Sequence, residues 1–256
     1  MNGVLETALR DKRAVGRKLL VPYITGGLAG WQQAVRAVAA AGADAIEIGM
    51  PFSDPVMDGP VIQLASQMAL EGGATPVSIL DEARDLDVGI PLAVMTYYNT
   101  IHHAGHERFA HQLQSAGVVA ALVPDLPLEE SGPWCAAADA AGVETVMFAA
   151  PTAPDERLPR IAERARGFLY SVSLLGVTGE RHELASTAAS LARRLKAITD
   201  VPVLIGVGVS NAAQAREAVQ VADGVVMGAS VIRRLLDDGP DAAGEYIAEV
   251  RAAIDA

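Results

Sequence analysis

AVRAVAAAGADAIEIG, residues 34–49, is an Ala-rich amphipathic stretch, a Gly turn and a short strand ending Ile-Glu-Ile-Gly. The same order recurs in FAHQLQSAGVVAALVPD (109–125), WCAAADAAGVETVMFA (134–149) and AREAVQVADGVVMGA (215–229). Apolar residues in the first half of each unit repeat with helical period, and those in the second half form a short run rich in Val, Ile and Leu. Helices alternating with such runs indicate βα units around a parallel sheet, whose strands are buried on both faces.

Extended along the chain, the pattern predicts eight strands, near 19–24, 44–49, 91–96, 119–124, 144–149, 168–173, 202–206 and 224–227, each followed by a helix. An extra amphipathic segment at 3–14 precedes the first strand and is placed to plug the N-terminal end of a barrel. No Pro/Ser-rich linker or low-complexity tract divides residues 1–256, so the expectation is one α/β domain, a (β/α)₈ TIM barrel with an extra N-terminal helix. An open doubly wound sheet would need a domain break that the sequence lacks.

Composition narrows the function. A net charge of −11 argues against nucleic acid and anionic membranes as partners. Cys135 is the lone cysteine, so no intramolecular disulfide forms and a reducing, cytoplasmic setting is expected. The first twenty residues lack the apolar core of a secretory signal, and no apolar run approaches the roughly 20 residues of a membrane span.

Barrel sites lie at the C-terminal ends of the strands. Tyr23, Thr25, Glu47, Met95, Tyr97, Leu122, Asp125, Phe148, Tyr170, Gly206, Gly208 and Gly228 stand there. This is an apolar, aromatic mouth with few charges, suited to a flat apolar ligand. Glu47 lies between Ile46 and Ile48 and faces opposite to both. Either it or the isoleucines point inward. On both alternatives it is poorly solvated, which raises a carboxyl pKa toward useful acid strength.

The following MPFSDPVMDGP (50–60) is too proline-rich for a helix and reads as a semi-rigid loop over the mouth. Asp54 and Asp58 lie on it, and either would place a second carboxylate opposite Glu47. An Asx-turn is the simpler reading for Asp54. IGVGVSN (205–211) and DGVVMGAS (223–230) each run strand, glycine, helix, the arrangement that offers backbone N–H groups to a phosphate after strands seven and eight. LLGVTGERHELA (174–185), with glycines around Val177 and Thr178, reads as a lid over the mouth or a long solvated loop.

Absences sharpen the chemistry. The only lysines, Lys12, Lys18 and Lys196, are not at strand ends, which disfavours a Schiff base. The histidines of HHAGHERFAH (102–111) have no converging carboxylates and read as solvated rather than metal-binding. Cys135 sits on an Ala-rich helix face and reads as core. Metal-free, cofactor-free acid/base work by carboxylates is the expectation.

EIGMPFSDPVMDGPVIQ (47–63) resembles the signature of tryptophan synthase alpha chains, and VPYITGG (21–27), VMTYYN (94–99), LVPDLPLEES (122–131), LYSVSLLGVTG (169–179) and GVGVSN (206–211) follow in that family's order. The resemblance covers nearly the whole chain. It implies retro-aldol cleavage of indole-3-glycerol phosphate to indole and glyceraldehyde 3-phosphate. It also implies that Glu47 is the acid/base, that Asp58 bonds the indole N–H, and that Tyr170 stands beside Glu47. Thr178 would orient the aspartate from the lid. Tyr23, Met95, Tyr97, Leu122 and Phe148 would line the indole pocket. Gly179, Gly208, Gly228 and Ala229 would offer N–H groups to phosphate. Three positions depart from the common pattern. Ala229 before Ser230 loses a hydroxyl, Val207 replaces a frequent Phe, and Leu174 replaces a frequent Arg.

The resemblance further implies a partner, a pyridoxal-phosphate beta chain in an alpha2-beta2 assembly. A free-standing lyase supplying indole to secondary metabolism would use the same catalytic pair. A non-catalytic phosphate-binding subunit is disfavoured because both carboxylates are present. A sibling barrel for another sugar phosphate is disfavoured by the aromatic mouth and the lack of a placed lysine or metal set.

Overall fold

The computed structural model describes residues 3–172, 181–206 and 208–256. Among these, β1 (Leu19–Thr25), β2 (Ile46–Gly49), β3 (Leu92–Met95), β4 (Val118–Leu122), β5 (Glu144–Ala149), β6 (Leu169–Ser171), β7 (Val203–Ile205) and β8 (Gly224–Met227) pair in parallel in sequence order. β8 returns to β1 with Leu19 opposite Gly224, closing the barrel. Helices α1 (Val4–Ala14), α2 (Trp31–Ala40), α3 (Pro60–Glu71), α4 (Pro76–Ala83), α5 (Tyr98–Ala104) and α6 (His106–Ser115) belong to the first half. Helices α7 (Gly132–Ala141), α8 (Arg157–Arg164), α9 (Arg181–Lys196), α10 (Ala212–Ala218), α11 (Ala229–Asp238) and α12 (Pro240–Asp255) complete the described chain. The expected TIM barrel with an extra N-terminal helix is therefore the fold.

Strand edges differ from expectation by one or two residues in six of the eight strands, in two cases for evident local reasons. β2 starts at Ile46 rather than 44, because the Asp44 carboxylate itself accepts the Leu20 N–H at 2.8 Å. β4 ends at Leu122, two residues before Pro124, which has no N–H to give a ladder.

The core has two layers. Inside the barrel, Val21, Ala45, Ala93, Leu122, Val146 and Leu204 pack together, while Ile46, Ile48 and Val94 face outward against helices. Leu5 and Leu9 of α1, both fully buried, join the inner layer and fill the N-terminal end. Their helix is held from within, since the Glu144 carboxylate accepts the N–H groups of Leu5 at 2.6 Å and Glu6 at 2.9 Å. A carboxylate at a helix N-terminus satisfies otherwise unpaired donors and suits the dipole.

The same end is laced by buried acids. Asp44, fully buried, meets Arg17 at 2.8 Å, Lys12 at 3.1 Å and Arg251 of α12 at 3.4 Å. Asp223 pairs with Lys196 and Arg13. Lys12 and Lys196 are thus committed to ion pairs at the end opposite the mouth. No helix among the described residues is long and apolar enough to cross a membrane.

Candidate active site

With Ala45 in the inner layer and Ile46 and Ile48 in the outer one, alternation turns Glu47 into the barrel. Glu47 is 1 % exposed, stands opposite Tyr23 on one side and Ala93 on the other, and its Oε1 has no hydrogen-bond partner among the described residues. Burial alone pushes its carboxyl up to about 8. Such a group holds its proton at neutral pH and stays close enough to ionisation to release it.

Two glycines make room for two phenols beside it. A Cβ at Gly49 would overlap the Tyr23 hydroxyl, and one at Gly206 would overlap the Tyr170 hydroxyl. Tyr23 and Tyr170 are both buried, and burial together with the charges of Glu47 and Asp58 holds each hydroxyl in its neutral form. Both carboxylates therefore lie in the electrostatic reach of both phenols, which brings together four of the residues singled out in the sequence.

Asp58 is half-buried on the loop between β2 and α3. Burial raises its carboxyl above the ordinary range, against a hydrogen bond from the Tyr97 hydroxyl. That hydroxyl also accepts the Met57 N–H at 2.9 Å, and the Tyr97 ring stacks on Phe52 at 5.0 Å. The Asp58 carbonyl accepts from the Gln63 side chain at 2.8 Å. Tyr97, expected only as a pocket wall, is the anchor of the loop as well. Its own hydroxyl is pushed up to about 12 by burial and by Asp58. Asp54 is exposed and accepts from the Ser53 hydroxyl at 2.6 Å.

The walls follow from register. Gly49 pairs with Met95 and Met95 with Leu122, which sets these two side by side at the strand ends. Across β5 and β6, Phe148 pairs with Tyr170, with ring centroids 5.0 Å apart. Gly208 has a left-handed φ of +93° in the turn before α10, and Gly228 precedes α11, whose first residue is Ala229, with no side chain capping that helix. Tyr246 of α12 donates to the Ser210 carbonyl at 2.9 Å and braces the first of these turns. Thr178, Gly179, Leu174 and Val207 lie outside the described residues, as does 173–180 of the expected lid.

The histidines need a partial correction. His102 and His103 are exposed, but His106 is half-buried, bonded to the Tyr98 hydroxyl at 3.0 Å and near Trp134. Among the described residues no group of His, Cys, Asp and Glu is arranged to hold a metal. Cys135 is buried and unpaired.

The family model described as tryptophan synthase alpha chain matches residues 9–253. The tryptophan synthase alpha chain of Streptomyces coelicolor is 44 % identical over 246 residues, covering 94 % of this chain and 91 % of that one. That of Thermobifida fusca is 42 % identical over 267 residues, covering 98 % of each. Among solved structures, tryptophan synthase from Mycobacterium tuberculosis superposes with a TM-score of 0.91 at 34 % identity over 99 % of both chains. The alpha chain from Legionella pneumophila superposes at 0.89 with 29 % identity, over 100 % of this chain and 98 % of that one. A match spanning nearly the whole barrel, on top of the inward glutamate and its aspartate loop, places this chain in the tryptophan synthase alpha-chain family.

Proposed function

We propose that Glu47 and Asp58 carry out the carbon–carbon lyase reaction of this family, cleavage of indole-3-glycerol phosphate to indole and glyceraldehyde 3-phosphate in tryptophan biosynthesis. The observation that carries the assignment is Glu47, a buried carboxyl at a barrel strand end whose Oε1 has no hydrogen-bond partner among the described residues, raised to about 8. In its protonated form it delivers a proton to indole C3. Positive charge then develops on the indole nitrogen, and the Asp58 carboxylate accepts the N–H and stabilises that charge. The newly ionised Glu47 takes the proton of the adjacent glycerol hydroxyl as the carbon–carbon bond breaks. The proton count closes, with Glu47 protonated again and both products neutral at the reacting atoms.

Tyr23, Met95, Tyr97, Leu122 and Phe148 enclose the indole ring in this reading, and Tyr170 keeps a neutral hydroxyl beside Glu47. Gly208, Gly228 and Ala229 direct N–H groups at the phosphate in the same reading. A sulfate or phosphate in crystals grown with glycerol phosphate should sit between the turns at 206–210 and 228–230. An anion held by the histidines of 102–111 instead would displace the phosphate assignment. The chain contributes no cofactor of its own to this reaction.

Membership of the family implies a beta-chain partner. We place that partner, a pyridoxal-phosphate enzyme, over the mouth in an alpha2-beta2 assembly, in the cytoplasm. Supporting this, Val56, Met57, Leu64 and Met68 expose apolar side chains on the Asp58 loop and on α3. The loop that carries Asp58 would then also carry part of the interface. Indole formation by the purified chain, with and without a cognate beta chain, tests both statements. Absence of turnover in either case defeats the activity. Full turnover of the isolated chain with no response to a beta chain would favour the free-standing lyase.

A further inference from the structure

Behind the barrel wall, between the outer face of β4 and β5 and helices α7 and α8, lies a cavity of about 180 Å³. Neither Glu47 nor Asp58 lines it. Space between sheet and helices is normally filled by branched side chains; here Ala121, Thr145, Cys135 and Ala153 leave it open. Trp134, Met147 and Ile161 supply apolar walls.

Two polar atoms in this lining lack partners among the described residues. Thr145 is 2 % exposed and its Oγ1 is unbonded. Arg157 buries an unbonded Nε, while its Nη2 donates to Glu129 Oε2 at 2.6 Å at the rim. A buried hydroxyl or N–H left unpaired is costly, so both groups favour a ligand that can bond them. Arg157 already has a carboxylate partner in Glu129, shared with Arg160 at 3.7 Å, and the chain carries a net charge of −11. The overall negative charge favours a neutral ligand over an anion. A cavity of roughly this volume admits a single aromatic ring.

We propose that this cavity is a second small-molecule site, built for a neutral single-ring aromatic bearing a carbonyl. The ring packs between Trp134 and Met147, the carbonyl accepts from Arg157 Nε–H, and a polar hydrogen or lone pair of the ligand meets the Thr145 hydroxyl. Phe148 lines the same cavity, and its ring lies 5.0 Å from that of Tyr170.

Benzamide is the probe, and Cys135, the lone cysteine and part of the lining, is the reporter. Thiolation of the intact chain by methyl methanethiosulfonate is followed by mass spectrometry. Benzamide at ten times its dissociation constant should slow the reaction about tenfold. Thr145→Val and Arg157→Lys should each lose that protection while keeping the wild-type melting temperature and indole formation. Toluene and benzoate should protect far less. The site is refuted if benzamide gives no protection, or if toluene or benzoate protects equally. It is refuted also if glycerol phosphate displaces benzamide, because the ligand would then be at the mouth.

Discussion

Replacing Glu47 by Gln tests the site through two independent readouts. The carboxyl rises from its ordinary value of 4.5 to about 8 because burial penalises the charge. For an acid raised in this way, the wild-type chain is at full stability below the unfolded value and loses stability as pH climbs toward the folded one. At about 1.4 kcal/mol per pH unit, the loss between those values is at most about 5 kcal/mol. Gln has no proton to lose. The variant should match wild type near pH 5 and exceed it by a margin that grows until pH 8 and is constant above. Urea unfolding of both chains across that range measures the margin. In parallel, kcat/KM of the wild type should fall above pH 8 as the proton leaves Glu47, and the variant should retain roughly 10⁻² to 10⁻⁴ of wild-type turnover. Unfolding curves that stay parallel across this range would show that Glu47 does not ionise in a desolvated site. Normal turnover by the variant would remove it from the chemistry.

Asp58→Asn should leave KM nearly unchanged and lower kcat, since its charge matters most when the indole nitrogen becomes cationic. A raised KM with unchanged kcat would reduce Asp58 to a binding contact. Tyr97→Phe removes the hydroxyl that bonds both Asp58 and the Met57 N–H. Loss of a hydrogen bond to a charged group, about 1.5–3 kcal/mol, predicts a roughly 10- to 150-fold drop in kcat/KM, and steady-state kinetics equal to wild type would contradict the anchor role. Leu9→Ala opens a void in the inner layer at the end opposite the mouth. It should cost about 2–5 kcal/mol in urea unfolding while leaving KM intact; a KM change of similar size would mean that the plug and the mouth are coupled.

The barrel was legible because its period is written repeatedly, as in residues 34–49 and 215–229, and because no linker interrupts it. The direction of Glu47 was not. Alternation separates Glu47 from Ile46 and Ile48 but does not say which face is the interior, since helices bury the outer face as thoroughly as neighbouring strands bury the inner one. Only the placement of Ala45, Ala93 and Leu122 in one cluster decides it. The bond from Tyr97 to Asp58 was invisible for another reason. It depends on the end of β3 meeting a loop distant in sequence, which no local pattern encodes. The local signal is a Tyr at a strand end followed by a helix, which marks a wall of the mouth and nothing more. Gly49 reads as an ordinary strand end and Gly206 as part of a phosphate turn, although each yields the volume that a tyrosine ring occupies.

The cap on the first helix has a consequence for how the chain is made. α1 emerges early, yet its two orphan amides wait for Glu144, 139 and 138 residues downstream. At a synthesis rate of roughly 5–20 residues per second, that wait lasts about 7–30 s. During it Leu5 and Leu9 have no interior to enter, because β5 and β6, which complete their surroundings, do not yet exist. A nascent chain stalled before β5 therefore presents a sticky amphipathic helix with no interior to enter, a target for any holding chaperone. A later act at the bottom of the barrel follows when Arg251 of α12 reaches back to Asp44, 207 residues upstream, and ties segments made far apart in time to each other.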